Sequence, residues 1–333
     1  MKLVIPLLIA SLLALPVAAA EGPAKPANAT ATAKGAAYPT KPIRWVIPFA
    51  AGGGTDIVAR PIAQRLSERL GQSITYDNRG GGGGIIAGEI VAKAAPDGYT
   101  MLVAAVAVMT VTVSLTKMPF DPVKDFDPIT KFANVPNMLV ARAAFPARTI
   151  QEVITHAKAN PGKVAWAISG PGSGGHLAME QFRLTTGIDV IRVPYKGAGP
   201  TTVALISNEA DLLFANPGVF MPHLKAGRLR ALGAASLKRM PLFPDLPTFS
   251  ESGFPGFESG SWYGLAAPAR TPADIIAFTH REVLAVLKQP DIVAVLATEG
   301  ATVVGNSPQE FGRQIRDDIV RWAKVIKDAN ISF

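Results

Sequence analysis

Twice along this chain a strand-length apolar run empties into a cluster of glycines that opens directly onto a helix. The first copy is Arg44-Trp45-Val46-Ile47-Pro48-Phe49-Ala50-Ala51-Gly52-Gly53-Gly54-Thr55-Asp56, and the second is Val164-Ala165-Trp166-Ala167-Ile168 followed by Ser169-Gly170-Pro171-Gly172-Ser173-Gly174-Gly175. A buried strand that turns at once into a helix selects an α/β fold. The first helix is expected from Asp56 to Leu70, with Thr55 or Asp56 as its cap, Ile57, Ala63, Leu66 and Leu70 on its apolar face, and Gly71 as its stop. The second is expected over His176 to Thr186. Each glycine turn aims backbone N–H groups at the space beyond its strand, at the positive end of a helix dipole, and the guest that suits such a seat is an anion. Two such units predict two lobes facing each other across a cleft.

The glycine turns fit neither common nucleotide motif. Ile57 stands where the dinucleotide fingerprint after Gly52-x-Gly54 needs Gly or Ala, and no glycine run is followed by Gly-Lys-Ser/Thr. The net charge is +8, but the basic residues, among them Arg60, Arg65, Arg69, Arg183, Arg228 and Arg230, are scattered rather than grouped with aromatics. Nucleic acid is therefore not an expected partner, and the field suits small anions. With no cysteine in the chain, and with His156, His176, His223 and His280 lacking ligand spacing, neither a disulfide framework nor a metal site nor a cofactor is expected. Lys2, the apolar run Leu3 to Val17 and Ala18-Ala19-Ala20 read as a cleaved signal peptide over residues 1–20, and 21–37 as a flexible spacer.

Tyr99 to Val108 reads as a buried strand and Asn137 to Ala141 as another. Thr149-Ile150-Gln151-Glu152 is a capping box that opens a helix. Ile188 to Val193, Asp211 to Asn216 and Leu229 to Ala235 are further strands, and Thr201 to Ser207 a short helix. The proline-rich stretch Met240 to Gly260 is a long connection returning to the first lobe. Two helices close the chain, one from Thr271-Pro272 and one from the capping box Ser307-Pro308-Gln309-Glu310. The expected division is residues 38–140 plus 260–333 in one lobe and 141–259 in the other.

Taken in order, several short motifs carry a family resemblance: Gly52-Gly53-Gly54-Thr55-Asp56, Asn78-Arg79 before five glycines, Asp97-Gly98-Tyr99-Thr100, Phe120-Asp121-Pro122-Val123-Lys124-Asp125-Phe126, His176-Leu177-Ala178, Val193-Pro194-Tyr195-Lys196-Gly197, Lys225-Ala226-Gly227-Arg228-Leu229-Arg230-Ala231-Leu232 and Trp262-Tyr263-Gly264-Leu265. Together they resemble the Bug-type (Bordetella uptake gene) solute receptors of the tripartite tricarboxylate transporter system. The resemblance implies a two-lobed periplasmic binding protein of the type II, Venus-flytrap kind, each lobe a mixed sheet flanked by helices, and a monomer is the expected state. It also implies a small carboxylate as ligand, integral membrane transporter subunits as partners, and no catalytic activity. The ligand-binding residues it implies are Phe49, Gly53, Gly54, Thr55 and Asp56 in one lobe, and Ser169, Gly170, Gly172, Ser173, Gly174 and Asn216 in the other. Where family members commonly carry Asn-Pro, Asn and an acidic residue, this chain has Val111-Thr112, Ile85 and Ala215. That departure points to a ligand with an apolar or aromatic body rather than citrate or an amino acid.

Two rival readings use the same residues. Ser173 in a glycine turn with His176 nearby suggests an exported serine hydrolase, but Pro171 breaks Gly-x-Ser-x-Gly, and Ser114-Leu115-Thr116-Lys117 lacks the companion motifs of Ser-x-x-Lys enzymes. A sensor that presents its closed form to a membrane kinase would share the fold. Asp56 has two readings of its own: a helix cap, or a side chain that welcomes an ammonium and repels a carboxylate.

Overall fold

The computed structural model describes residues 31–33, 36–49, 51, 52, 54–170, 172–195 and 198–331. The segment expected as a signal peptide, most of the expected spacer, and Gly53, Pro171, Lys196 and Gly197 lie outside that set. In chain order the elements are β1 (Ala31–Ala33), β2 (Ala36–Tyr38), β3 (Ile43–Ile47), α1 (Gly54–Leu70), β4 (Ile74–Asn78), α2 (Ile85–Ala92), β5 (Thr100–Ala105), α3 (Thr112–Leu115), β6 (Phe126–Pro136) and β7 (Met138–Arg142). There follow α4 (Ile150–Ala159), β8 (Ala165–Ile168), α5 (Gly174–Thr186), β9 (Ile191–Pro194), α6 (Ala198–Ile206), β10 (Leu212–Ala215), α7 (Met221–Lys225) and β11 (Leu229–Ala234). The chain closes with β12 (Gly260–Pro268), α8 (Ala273–Leu287), α9 (Pro290–Thr298), β13 (Thr302–Val303) and α10 (Pro308–Asp328). Among the described residues no helix is long and apolar enough to cross a membrane.

Apart from the β1–β2 ribbon, the strands form two mixed sheets, in the orders β13-β6-β12-β5-β3-β4 and β11-β7-β10-β8-β9. The two sheets repeat one plan. In each, a β-α-β-α-β run lays its first strand between its second and third, all parallel, as β4-β3-β5 and as β9-β8-β10. An antiparallel strand, β12 or β7, then pairs beside the third. Strand order therefore reverses next to β3 and next to β8, and in open sheets of this kind a crevice opens beyond the carboxyl ends of the strands at that point.

The chain passes from the first sheet to the second at Asn137, because Met138 already pairs with Ala215 and Ala234 of the second sheet. It returns between Ala234 and Gly260. Around the first sheet, Trp45 stacks on Phe132 with ring centroids 5.6 Å apart, and the buried face of α1 is Val58, Ala59, Ile62, Ala63, Leu66 and Leu70. Under the second, Trp166, Phe182, Phe214, Phe249 and Phe257 form one cluster of tilted, stacked and edge-to-face rings, with Phe249 and Phe257 stacked at 4.6 Å. Phe249 and Phe257 come from the long connection, so the stretch Met240 to Gly260 serves as core for the second sheet while it returns to the first. The last helix, α10, spans both bodies: Phe311 lies edge-on to Trp262 at 5.2 Å, and Arg321 Nη2 donates to Gln181 Oε1 of α5 at 3.4 Å.

Local structure differs from the expected elements in four places. Helix α1 begins at Gly54, so Thr55 and Asp56 lie in its first turn instead of capping it, and Ile57 is exposed rather than part of the core. The apolar run after Tyr99 stops being a strand at Ala105 and coils into a helical segment from Ala107. Strands β6 and β12 carry no alternation strong enough to mark them, since both are buried on two faces in the middle of a sheet. The closing region holds a third helix, α9, whose start is marked by Pro290 at its first position.

Candidate functional site

The carboxyl ends of β3 and β8 and the amino ends of α1 and α5 enclose one cavity of about 450 Å³. From the first sheet's side its wall carries Phe49, Gly54 and Thr55; from the second, Ser169, Ser173, Gly174 and Asn216. The two glycine turns therefore meet across a shared space, as the repeat in the sequence implies. The first amides of α1 and α5 lack a carbonyl one turn earlier, and both helix starts border this space. Ser173 caps α5, its Oγ accepting from the His176 amide at 3.2 Å.

Asp56, Gly170 and Gly172 stand behind the wall rather than on it, and Gly53 lies outside the described residues. Asp56 Oδ2 accepts from the Gly52 amide at 3.0 Å, Oδ1 accepts from Arg60 Nη2 at 2.7 Å, and Asn78 Nδ2 approaches Oδ1 at 3.4 Å. Burial alone would raise its carboxyl; the Gly52 amide, Arg60 and Asn78 outweigh that and hold it below the ordinary aspartate range. Asn78 also donates to the Phe49 carbonyl at 3.0 Å, so the residue opening the Asn78-Arg79 motif ties β4 to the first turn. Arg79 itself turns away to Asp77, at 2.7 Å.

Gly170 and Gly172 shape the second turn with φ of 139° and 69°, a left-handed backbone that glycine adopts without strain. The Gly172 amide donates to His176 Nδ1 at 3.1 Å, and His176 Nε2 lies 3.7 Å from Glu180 Oε1. Glu180 is fully buried and bonded by Arg183 at 2.7 Å and Arg192 at 3.2 Å. Burial pushes that carboxyl up, but the His176 and Arg183 hydrogen bonds and the charges of Arg183 and Arg192 win and hold it low. The imidazole thus braces a turn and is not aimed at Ser173 Oγ, which removes the geometric basis for a Ser–His pair.

Asn216 is committed to the crossover. Its Nδ2 donates to the Val135 carbonyl at 2.8 Å, and its Oδ1 accepts from Ser261 Oγ at 3.4 Å, joining the end of β10 to both strands through which the chain crosses. Beside it the Asn137 amide donates to the Ser259 carbonyl and the Ala235 amide to the Asn137 carbonyl, at 2.9 and 2.8 Å.

The rest of the wall comes from residues that the sequence did not single out as ligand contacts: Ile57, Val58, Val106, Leu213, Phe214 and Phe220 give it an apolar lining, and Tyr263, Ser261 and Glu299 add polar groups. Tyr263 is buried; burial pushes its phenol up, with Ser261 and Thr55 pulling partly the other way. Of the three positions that depart from the family pattern, Ala215 lines the cavity. The other two do not: Val111 is core, Thr112 donates to the Gly83 carbonyl, and Ile85 packs against the first core. Among the described residues, no three histidine, aspartate or glutamate side chains gather closely enough to hold a metal ion.

Residues 58–331 match the family model described as the tripartite tricarboxylate transporter family receptor. The chain belongs to that family. This receptor is 36% identical over 294 residues to protein BugT of Bordetella pertussis strain Tohama I, an alignment covering 87% of this chain and 90% of that one. Its fold matches R. palustris Rpa4515 with adipate at a TM-score of 0.80 and 38% identity, over 89% of this chain and 99% of the other. It also matches MatC of Rhodopseudomonas palustris with bound malate at a TM-score of 0.76 and 33% identity, over 87% and 100% of the two chains.

Proposed function

We propose that this receptor captures a small carboxylate with an apolar body between two lobes and hands it to integral membrane transporter subunits. The observation that carries this reading is the convergence of the α1 and α5 amino ends on one cavity whose remaining wall is largely apolar. The relatives with adipate and malate support the ligand class, and the signal-like start of the chain supports a periplasmic location. The lobes are the two sheets with their helices, hinged at Asn137 and at the 235–259 return. Phe49, Gly53, Gly54 and Thr55 approach the ligand from one lobe, and Ser169, Ser173 and Gly174 from the other. Asp56, Gly170 and Gly172 hold the two turns in shape, and Asn216 sets the lobes' relative position.

Each turn contributes a few charge-assisted hydrogen bonds of about 1.5–3 kcal/mol, and closing the lobes brings both sets onto one molecule. Micromolar affinity requires about 8 kcal/mol, which is within the reach of such a set less its ordering cost. No bond in the ligand needs to break. A thermal-shift screen against mono-, di- and tricarboxylates tests the reading, because a ligand at a hundred times its dissociation constant adds ~2.7 kcal/mol of stability. A panel without shifts, with measurable ester or amide hydrolysis beside it, would replace the receptor by an enzyme.

A further inference from the structure

Glu299 is the charged side chain on the cavity wall among the described residues. Everything else there is apolar, hydroxyl, amide or backbone. Its place is unusual for an acid, since Glu299 caps the carboxyl end of α9, where the helix dipole is negative and a cation would be favoured. Among the described residues its carboxylate has neither an ion pair nor a hydrogen bond. Its turn is closely packed. The next residue, Gly300, has φ +70, and a side chain there would strike Pro217; a methyl on Gly218 would strike Glu299 Oε2 itself. The turn at 299–300, carried by the first sheet, therefore seats against the Pro217-Gly218 turn of the second, and the carboxylate stands where the two bodies meet.

Two helix starts favour negative charge, and one unpaired carboxylate on the same wall opposes it. A dicarboxylate would bring a second negative group into a cavity whose wall already carries one. A molecule with one carboxylate and one protonated nitrogen would satisfy both. We propose that Glu299 recognises a protonated amine at the end of the ligand remote from its carboxylate, so that the preferred class is an amino carboxylate with an apolar spacer. This rests on the carboxylate-receptor reading above and narrows it.

The test is calorimetric titration of the full chain and of Glu299→Gln with two matched pairs: adipate against ε-aminocaproate, and terephthalate against para-(aminomethyl)benzoate. In the wild type, the amino member of at least one pair should bind about tenfold or more tighter than its dicarboxylate twin, and Glu299→Gln should abolish or invert that preference, as removal of one partner of a charge pair does. The unliganded variant should melt with the wild type, because the carboxylate has no partner to lose. Dicarboxylates that bind the wild type as tightly in both pairs, or a preference unchanged in Glu299→Gln, overturn the proposal. If the dicarboxylates bind and Gly54→Val abolishes their binding, the carboxylate-receptor reading stands and the assignment of Glu299 alone falls. If no probe binds, both fall.

Discussion

Gly54 faces the phenol of Tyr263 so closely that a Cβ built on it would lie 2.5 Å from the hydroxyl oxygen. One is the first residue of α1 and the other sits in the middle of β12, so the amino end of the helix rests on a strand more than two hundred residues later in the chain. Gly54→Val should leave the unliganded protein folded but abolish the thermal shift given by a carboxylate, since the added side chain displaces Tyr263 or fills the seat. Adding Tyr263→Phe to Gly54→Ala should restore part of the shift, with a coupling of about 0.5–3 kcal/mol between the two sites. Strict additivity in calorimetry would mean that the contact is not what excludes a side chain at 54.

Asp56 predicts a pH dependence. Its folded carboxyl is held below the ordinary value, so the unfolded chain binds more protons between the two values and stability rises with pH there. The contribution is complete above the unfolded aspartate value, near pH 4, and is lost as pH falls through the folded one. Chemical unfolding from pH 3 to 7 should show Asp56→Asn losing about 1–2 kcal/mol relative to wild type at pH 7, with the gap narrowing in acid. A gap constant with pH would assign the loss to something other than the charge.

At Gly175 a methyl would run into the backbone carbonyl of Phe214, and a carbonyl in the middle of a sheet cannot step aside. Helix α5 approaches β10 this closely only because residue 175 has no side chain. Gly175→Ala should cost about 1–3 kcal/mol in urea unfolding, as overpacking does, and should weaken carboxylate binding by shifting the helix start. An unaffected unfolding midpoint would show that α5 can slide without strain.

Asn216→Leu removes the donor that reaches Val135 and the acceptor that takes Ser261. Leaving those groups short of partners should lower stability by about 1–3 kcal/mol. Affinity should fall with it, and small-angle scattering should show the change in radius between unliganded and carboxylate-saturated protein altered from wild type. Scattering curves identical to wild type in both states would confine Asn216 to a local role.

The sequence by itself determined the repeat. Apolar runs ending in glycines specify buried strands that turn into helices, and the caps at Thr149 and Ser307 mark helix starts, because torsion preferences and short-range hydrogen bonds act within a few residues. That was enough to place Gly54, Thr55, Ser173 and Gly174 beside one cavity. Only the tertiary structure decided which way each turn residue faces. Asp56 turns inward because Gly52, Arg60 and Asn78 reach it there, and Gly172 because His176 takes its amide. Strand β6 escaped notice because its buried Thr130 and Lys131 are polar, and the groups that satisfy them, the Asn306 carbonyl and Gln314, arrive from some 175 residues away. Tyr263 and Glu299 reach the cavity for the same reason. Their positions follow from closing long loops around two cores, and neither local periodicity nor local composition encodes where such a closure brings a side chain.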